Sequence, residues 1–166
     1  TDEIKRRMLL LGQSGNYDIV LTELGGTVGD IESLPYVESV RQLRWELGRE
    51  HSLVIHLTLV PFLNAAKELK TKPTQHSVKE LLSLGVQPDI LACRTEHPLS
   101  IDIRRKLAQF CNVETSSVIE MIDAETIYDV PLLLLKERLD SVVISKLHLK
   151  DTKEPNLTSW KNFLGK

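Results

Sequence analysis

The 166-residue sequence predicts an α/β fold in which a mostly parallel sheet carries helices on both faces, giving three layers. Short apolar runs of strand length alternate with longer segments in which apolar residues recur at helical spacing. Strands separated by helices need crossover connections, and such connections favour parallel pairing. The composition agrees, since 42% apolar and 27% charged residues are typical of soluble globular domains.

The first half of the chain predicts two helix–strand pairs. Residues 4–11 have helical periodicity, and residues 17–24 form an apolar run of strand length. Ser33 can cap a second helix that Gly48 ends, with Pro in its first turn. A second strand is predicted over residues 53–60.

The second half repeats the alternation after a polar loop. Capping residues and glycines mark the expected helix ends. The predicted elements are a loop over residues 64–73, a helix from Thr74 to Gly85, a strand over 89–94, a helix from Ser100, a strand over 118–122 and a helix over 127–139.

The chain has the length of one ordinary domain, which we assign to residues 1–150. From residue 151 to 166 the sequence is more polar and contains Pro155, as expected for the start of a linker or a docked tail. The first residue is Thr1 rather than methionine, so either the start was removed or the sequence is a piece of a longer protein.

Charge and cysteine content exclude several classes of function. A net charge of −2 argues against nucleic acid or an anionic membrane as the main partner. No run approaches the ~18 apolar residues that a membrane helix needs. Cys93 and Cys111 have no CxxC spacing, so we expect reduced structural thiols and a cytoplasmic location.

Glu23 follows Ile19-Val20-Leu21-Thr22 near the end of the apolar run over 17–24 and precedes a glycine-rich turn. Ligands of open α/β sheets bind beyond the carboxyl ends of strands, and Mg²⁺ usually takes one or two carboxylates together with phosphate oxygens. Glu23 is therefore a candidate magnesium ligand. The alternative is an ordinary strand-end carboxylate paired with a lysine.

Asp30, Ile31 and Glu32 follow the glycine-rich turn. Acids in the first turn of a helix complement its dipole, which is sufficient reason for their presence. The alternative is that these carboxylates accept hydrogen bonds from the ribose or base of a nucleotide.

Lys70 and Lys72 stand on either side of Thr71, just before Pro73. A residue that precedes proline is biased toward extended geometry, in which alternate side chains share a face. Both lysines could then clamp a triphosphate at the start of a helix. The alternative is a solvated loop with two ordinary lysines.

Other polar residues carry less information. Arg104, Arg105 and Lys106 are consecutive on a predicted helix, so they fan around it and at least one is expected to be solvated. The histidines show no metal-binding pattern, and the phosphate-loop motif GxxxxGK(S/T) does not occur.

Three long motifs are distinctive: ELGGTVGDIESLP at 23–35, HLTLVP at 56–61 and KTKPTQHSVKEL at 70–81. They resemble the CTP synthase family, in its amidoligase (synthetase) domain, and shorter matches to that family continue nearly to Leu149. The resemblance implies a P-loop-type α/β fold similar to dethiobiotin synthetase. It also implies that the phosphate loop and a second magnesium-binding aspartate precede Thr1, and that a glutaminase domain follows Lys166.

The family makes CTP from UTP. ATP phosphorylates the uracil O4, and ammonia released from glutamine displaces the phosphate. The resemblance therefore implies UTP, CTP, ATP and ammonia as ligands, Mg²⁺ as cofactor, GTP as allosteric activator and a homotetramer, with no nucleic-acid or membrane partner.

The same resemblance implies roles for individual residues. It makes Glu23 the magnesium ligand, and it makes Lys70 and Lys72 the catalytic lysines. The UTP- and CTP-binding residues would be Asp30, Ile31, Glu32, Lys70, Thr71, Lys72, Pro73, Thr74, Gln75 and Lys106. The residues around the ATP adenine would be Arg94, Ile122, Asp123 and Ala124.

Two further hypotheses remain open. The chain alone is expected to be inactive in CTP formation. One alternative to a part of an enzyme is a non-catalytic module for pyrimidine-nucleotide binding and oligomerisation. A carboxylate ligase like dethiobiotin synthetase would share the fold, but it lacks the signature at residues 70–75.

Overall fold

A computed structural model describes residues 1–150 and 152–165; Asp151, where the tail was predicted to begin, and Lys166 lie outside them. The helices are α1 (Asp2–Gln13), α2 (Leu34–Leu47), α3 (Lys72–Ser83), α4 (Ile101–Cys111), α5 (Val130–Lys136), α6 (Leu139–Lys146) and α7 (Thr158–Leu164). The strands are β1 (Ile55–Leu59), β2 (Phe62–Leu63), β3 (Glu68–Leu69), β4 (Ile90–Thr95) and β5 (Val118–Ile122).

A three-stranded parallel sheet in the order β1-β4-β5 forms the centre of the fold. Leu57 of β1 pairs with Ala92 of β4, which in turn pairs with Ile119 of β5. The predicted α/β class, the parallel pairing and these three strands are confirmed. Helices do not cover both faces of the sheet at β1. Ile55, Leu57 and Leu59 share one face of this strand, and that face is exposed.

The main core lies between the sheet and helices α3 and α4. Its buried residues are Val60, Val78, Leu91, Cys93, Leu99, Leu107, Ala108, Cys111 and Val118. A smaller cluster of Val37, Leu81 and Val86 joins α2 to α3. Since both clusters include residues of α3, this helix has a fixed position relative to the sheet and to α2.

The strand predicted over residues 17–24 is wrong in this structure. The segment has no regular secondary structure, and Ile19 and Leu21 are 53% and 88% exposed. A strand needs a neighbour for its N–H and C=O groups, and β1 pairs only with β4 within the described residues. An apolar run therefore stays irregular here.

Helix α3 begins earlier than predicted, and the preceding loop is not entirely irregular. Strands β2 and β3 form an antiparallel hairpin in it. Lys72 occupies the first position of α3 and Pro73 follows it in the first turn, where proline is tolerated. Thr74 is thus inside the helix and not its cap, and its hydroxyl donates to the Leu59 carbonyl at 3.0 Å.

Other helix ends agree better with the positions predicted from the sequence. Ser33 lies at the N-terminus of α2 as predicted, although its hydroxyl donates to the Asp30 carbonyl instead of capping the helix. Ser100 caps α4 by accepting the Ile103 amide at 3.3 Å. Gly48 ends α2 with a positive φ of 82°, the conformation that glycine adopts without strain.

The single helix predicted over 127–139 is divided. A short 3-10 turn at Ile127–Asp129 precedes α5, and Arg138 separates α5 from α6 with a left-handed φ of 59°. Helix α7, beyond residue 150, was not predicted, and it contacts Tyr128 through Trp160. No helix in the described part of the chain is long and apolar enough to cross a membrane.

Candidate functional site

A cleft of about 450 Å³ lies beyond the carboxyl ends of β1 and β4. The β2–β3 hairpin, the start of α3, the loop after β4 and one face of α4 surround it. Its lining residues are Phe62, Lys67, Glu68, Leu69, Thr71, His97, Pro98, Ile103 and Lys106. Two of the residues proposed for pyrimidine-nucleotide binding, Thr71 and Lys106, thus lie in one cleft although 35 positions separate them.

The extended geometry predicted for residues 70–72 is wrong. Thr71 has helical angles (φ −87°, ψ −14°) and Lys72 is already part of α3, so the two lysines do not share a face by alternation. The Lys70 ammonium pairs with the Glu68 carboxylate. The Lys72 ammonium instead lies 5.8 Å from the centroid of the Phe110 ring on α4.

Tertiary packing nevertheless brings the predicted lysines to one region. A hydrogen bond from Lys70 lowers the pKa of Glu68, and the positive charge of Lys106 contributes to that shift. Lys106 and Phe110 are four residues apart and so share a face of α4. Because Lys72 lies over Phe110, all three lysines lie around the junction of the hairpin, α3 and α4.

The neutral residues of the 70–75 segment hold this junction together. Thr71 is buried and accepts a hydrogen bond from the Gln75 side chain at 3.1 Å. Thr74 is fully buried and bonds both the Thr58 hydroxyl and the Leu59 carbonyl of β1. The Thr74 hydroxyl anchors the start of α3 to the end of β1, and Pro73 is exposed beside it.

Arg94 and Asp123, both predicted near an adenine, form an ion pair at 3.2 Å. They lie at the carboxyl ends of the neighbouring strands β4 and β5, and the Asp123 amide donates to the Thr95 carbonyl. Both side chains are more than half exposed. Ile122 and Ala124 flank Asp123 and are half-buried.

The predicted residues from the N-terminal part are less firmly held. Glu23 is exposed in the irregular segment before α2. Asp30, Ile31 and Glu32 are exposed in a turn whose Gly29 lies against the Glu80 side chain, about two turns along α3 from Lys72. The structure does not bring these residues into the cleft.

No group of three or more His, Cys, Asp or Glu side chains is placed to hold a metal ion among residues 1–150 and 152–165. Glu23 is a single carboxylate. Mg²⁺ keeps several waters and often takes one or two protein carboxylates with substrate phosphates. The chemistry of Glu23 fits that requirement.

Sequence reasoning missed an ionic cluster formed by Arg104, Glu120 and Glu137. Arg104 Nη1 lies 2.6 Å from Glu137 and 2.8 Å from the Val118 carbonyl, and its Nη2 lies 3.2 Å from Glu120. Arg105 and Lys106 are exposed, as expected for consecutive helical residues. Glu120 inside an apolar strand was the available signal, since a charge there requires a partner.

Buried residues of the core also have perturbed acidities. Burial raises the pKa of Cys93 and of Cys111 to about 11, and both thiols are free, as predicted. Burial lowers the pKa of His56, whose Nε2 lies 2.8 Å from the Ser77 hydroxyl.

Comparison with known proteins identifies strong similarity along the whole chain. Residues 1–149 match the family described as CTP synthase N-terminus. The chain is 70% identical over 166 residues to a CTP synthase of Cytophaga hutchinsonii, covering 100% of this chain and 31% of that protein. It is 66% identical to a CTP synthase of Christiangramia forsetii over 164 residues, covering 99% of this chain and 30% of that protein.

Proposed function

Because the chain belongs to the CTP synthase family, we propose that it supplies nucleotide-binding elements of an enzyme that aminates UTP to CTP. The chain spans 31% of the length of its Cytophaga relative, so the complete reaction belongs to a longer protein. In that protein ATP phosphorylates the uracil O4, and ammonia from glutamine displaces the phosphate. A glutaminase domain elsewhere in the protein provides the ammonia.

The pyrimidine nucleotide binds at the junction of the hairpin, α3 and α4. The arrangement of Lys70, Lys72 and Lys106 around this junction supports the proposal more than any other observation. Ammonium groups held close together neutralise the charge of a triphosphate and of the phosphoryl group in transfer. Within the described chain Lys72 and Lys106 form no ion pair, so both remain available to an anion.

In this proposal, Asp30, Ile31 and Glu32 contact CTP when CTP binds as an inhibitor. They lie apart from the cleft, in a turn whose Gly29 lies against the Glu80 side chain. Their exposed positions leave them accessible to a ligand or to another part of the longer protein.

ATP binds near the ends of β4 and β5, with Arg94 and residues 122–124 around the adenine. The ion pair between Arg94 and Asp123 supports this placement by joining two of the four residues. The carboxyl end of a parallel sheet is also where α/β folds bind nucleotides. The P-loop-like form of the fold, with its phosphate loop outside residues 1–166, belongs to the same proposal.

Glu23 would hold Mg²⁺ beside the ATP phosphates. Bound there, the ion would neutralise the charge that develops on the transferred phosphoryl group. The contribution of this chain is an exposed carboxylate at a glycine-rich turn, which phosphate groups can approach. Activation by GTP, a homotetrameric assembly and a cytoplasmic location complete the proposal.

The test uses the full-length protein that contains this chain, assayed for CTP formation from UTP, ATP, Mg²⁺ and ammonia. Lys72→Ala is expected to raise the KM for UTP about tenfold to a hundredfold, the equivalent of one or two charge-assisted hydrogen bonds. Lys79→Ala is the matched control, since Lys79 is exposed on the same helix. Its KM should stay within about twofold of the wild-type value.

Equal KM values for the two variants would contradict the pyrimidine site at the start of α3. Failure of the wild-type protein to form CTP would contradict the proposed reaction itself.

A further inference from the structure

Three aromatic side chains fasten α7 to the segment that follows β5. The ring centroids of Tyr128 and Trp160 are 6.2 Å apart, and those of Tyr128 and Phe163 are 5.9 Å apart in an edge-on arrangement. The indole Nε1 of Trp160 also donates a hydrogen bond to the Tyr128 carbonyl at 2.9 Å. We call this contact the α7 clasp.

The segment held by the clasp is the one that carries the proposed adenine contacts. It leaves β5 at Asp123, whose amide is bonded to the Thr95 carbonyl. Three residues on, Thr126 begins a capping box with Asp129 that fixes the turn before α5. Tyr128 lies inside that turn, so the α7 clasp holds the segment at the end that is farther along the chain from β5.

Packing against the sheet does little to hold this turn. Ile127 is 79% exposed and Tyr128 is 52% exposed. Trp160 is half-buried, and it bonds a main-chain carbonyl, so its contact fixes the backbone of the turn directly. Removing the indole would leave the turn with its capping box but without this restraint from α7.

We propose that Trp160 is a positioning residue for ATP binding: through Tyr128 it sets the placement of residues 122–124 relative to Arg94. This inference rests on the proposed function, which assigns those residues to ATP. It adds a role for a side chain 36 positions beyond Ala124, on a helix to which no ligand contact has been assigned. It also makes the affinity for ATP dependent on where α7 lies.

The test compares Trp160→Ala with Trp45→Ala in the full-length protein, with ammonia as the nitrogen donor. Trp45 is the matched control because it is the other tryptophan of this chain and is 89% exposed on α2. For Trp160→Ala, the KM for ATP is expected to rise about fivefold to tenfold, since the hydrogen bond to the Tyr128 carbonyl and the ring contacts with Tyr128 and Phe163 are lost. The KM for UTP and the kcat at saturating ATP should stay within about twofold.

Trp160→Phe provides a second measurement if the alanine variant folds poorly. It keeps a ring against Tyr128 but cannot donate to its carbonyl, so its KM for ATP should fall between those of wild type and Trp160→Ala. An unchanged KM for ATP in both Trp160 variants would overturn the proposal. Equal increases for ATP and UTP would also overturn it, because they would indicate general damage to the fold.

Arg94→Ala separates this inference from the proposed function. If Arg94→Ala leaves the KM for ATP unchanged, the ATP assignment at β4 and β5 is wrong. If Arg94→Ala raises that KM and the Trp160 variants do not, the ATP site stands and only the positioning role of Trp160 fails.

Discussion

The sheet-centred region and the N-terminal region of this chain are organised very differently. Six of the nine residues of the main core come from β4, β5 and α4, and the central strand β4 is buried along nearly its whole length. Helix α1 buries no residue, and the irregular segment after it exposes its apolar side chains. Lys72 and Lys106 therefore lie on a packed scaffold, whereas Glu23 lies where few contacts define its position.

The largest difference between the regions should appear when the same side chain is truncated in each. Leu107 is fully buried in the core and Leu21 is 88% exposed. Leu107→Ala is expected to lower the free energy of unfolding by about 2 to 5 kcal/mol through lost burial and a cavity. Leu21→Ala should change it by less than about 0.5 kcal/mol.

Urea denaturation followed by circular dichroism measures both values. A loss of 2 kcal/mol or more in Leu21→Ala would mean that the N-terminal segment packs in solution, and the contrast would fail.

A smaller effect is expected from the ionic cluster, which ties α4 to β5 and α5. Arg104→Met leaves Glu120 and Glu137 without their partner, and their side chains are only 15% and 17% exposed. The expected cost is about 2 to 3 kcal/mol, below the range for fully buried pairs because water still reaches the site. Arg105→Met, on the same helix but 67% exposed, should cost less than about 0.5 kcal/mol.

The cluster also predicts the direction of a pH effect. Burial favours the neutral form of Glu137, but hydrogen bonds from Arg104 and the Glu120 amide outweigh it and hold the pKa of Glu137 below its usual value. A carboxyl with a lowered pKa contributes stability that is present above its unfolded pKa and is lost on acidification. The cost of Arg104→Met should therefore shrink below about pH 4, and a constant cost would contradict this account.

The smallest effect should come from His56 and be visible only as pH dependence. Because burial lowers its pKa, the unfolded chain binds a proton at His56 more readily than the folded chain does. Stability due to this residue is complete above the unfolded pKa of about 6.5 and is lost as pH falls toward the folded pKa.

Thermal unfolding at pH 7 and pH 5 tests this. His56→Gln should lose less stability between the two pH values than wild type, while His51→Gln, at an exposed position, should match wild type. Identical losses in wild type and His56→Gln would show that His56 is not protonated differently on unfolding.

The fold could be predicted from the sequence where local pattern and tertiary environment agree. The strand over 118–122 is apolar except at Glu120, and it forms because β4 lies beside it and shares its hydrogen bonds. The run over 17–24 has a similar pattern but no such neighbour in the described chain, and hydrophobicity alone does not indicate which case applies. The observed start of α3 differs from the predicted start for a related reason, because a hydrogen bond from Thr74 to β1 helps to define it.

The sequence indicated which residues could form the candidate site, and that assignment stays a prediction, but it did not indicate how those residues are arranged. The proline rule placed Lys70 and Lys72 on one extended face, whereas the helix start separates them. Their common location with Lys106 depends on the contact between α3 and α4 and on Glu68 in an unpredicted hairpin. Such relations join residues far apart in sequence, so no local pattern contains them.

The weak acidity of the two buried thiols makes this part of the protein well suited to site-specific labelling. With a pKa of about 11 for Cys93 and Cys111, about one thiol in ten thousand is ionised at pH 7, and only the thiolate reacts with maleimides. A cysteine introduced at an exposed position such as Trp45 would therefore take the dye while both native cysteines remain in place. A pair of such introduced cysteines would then allow distances within these 166 residues to be measured by energy transfer without first replacing Cys93 and Cys111.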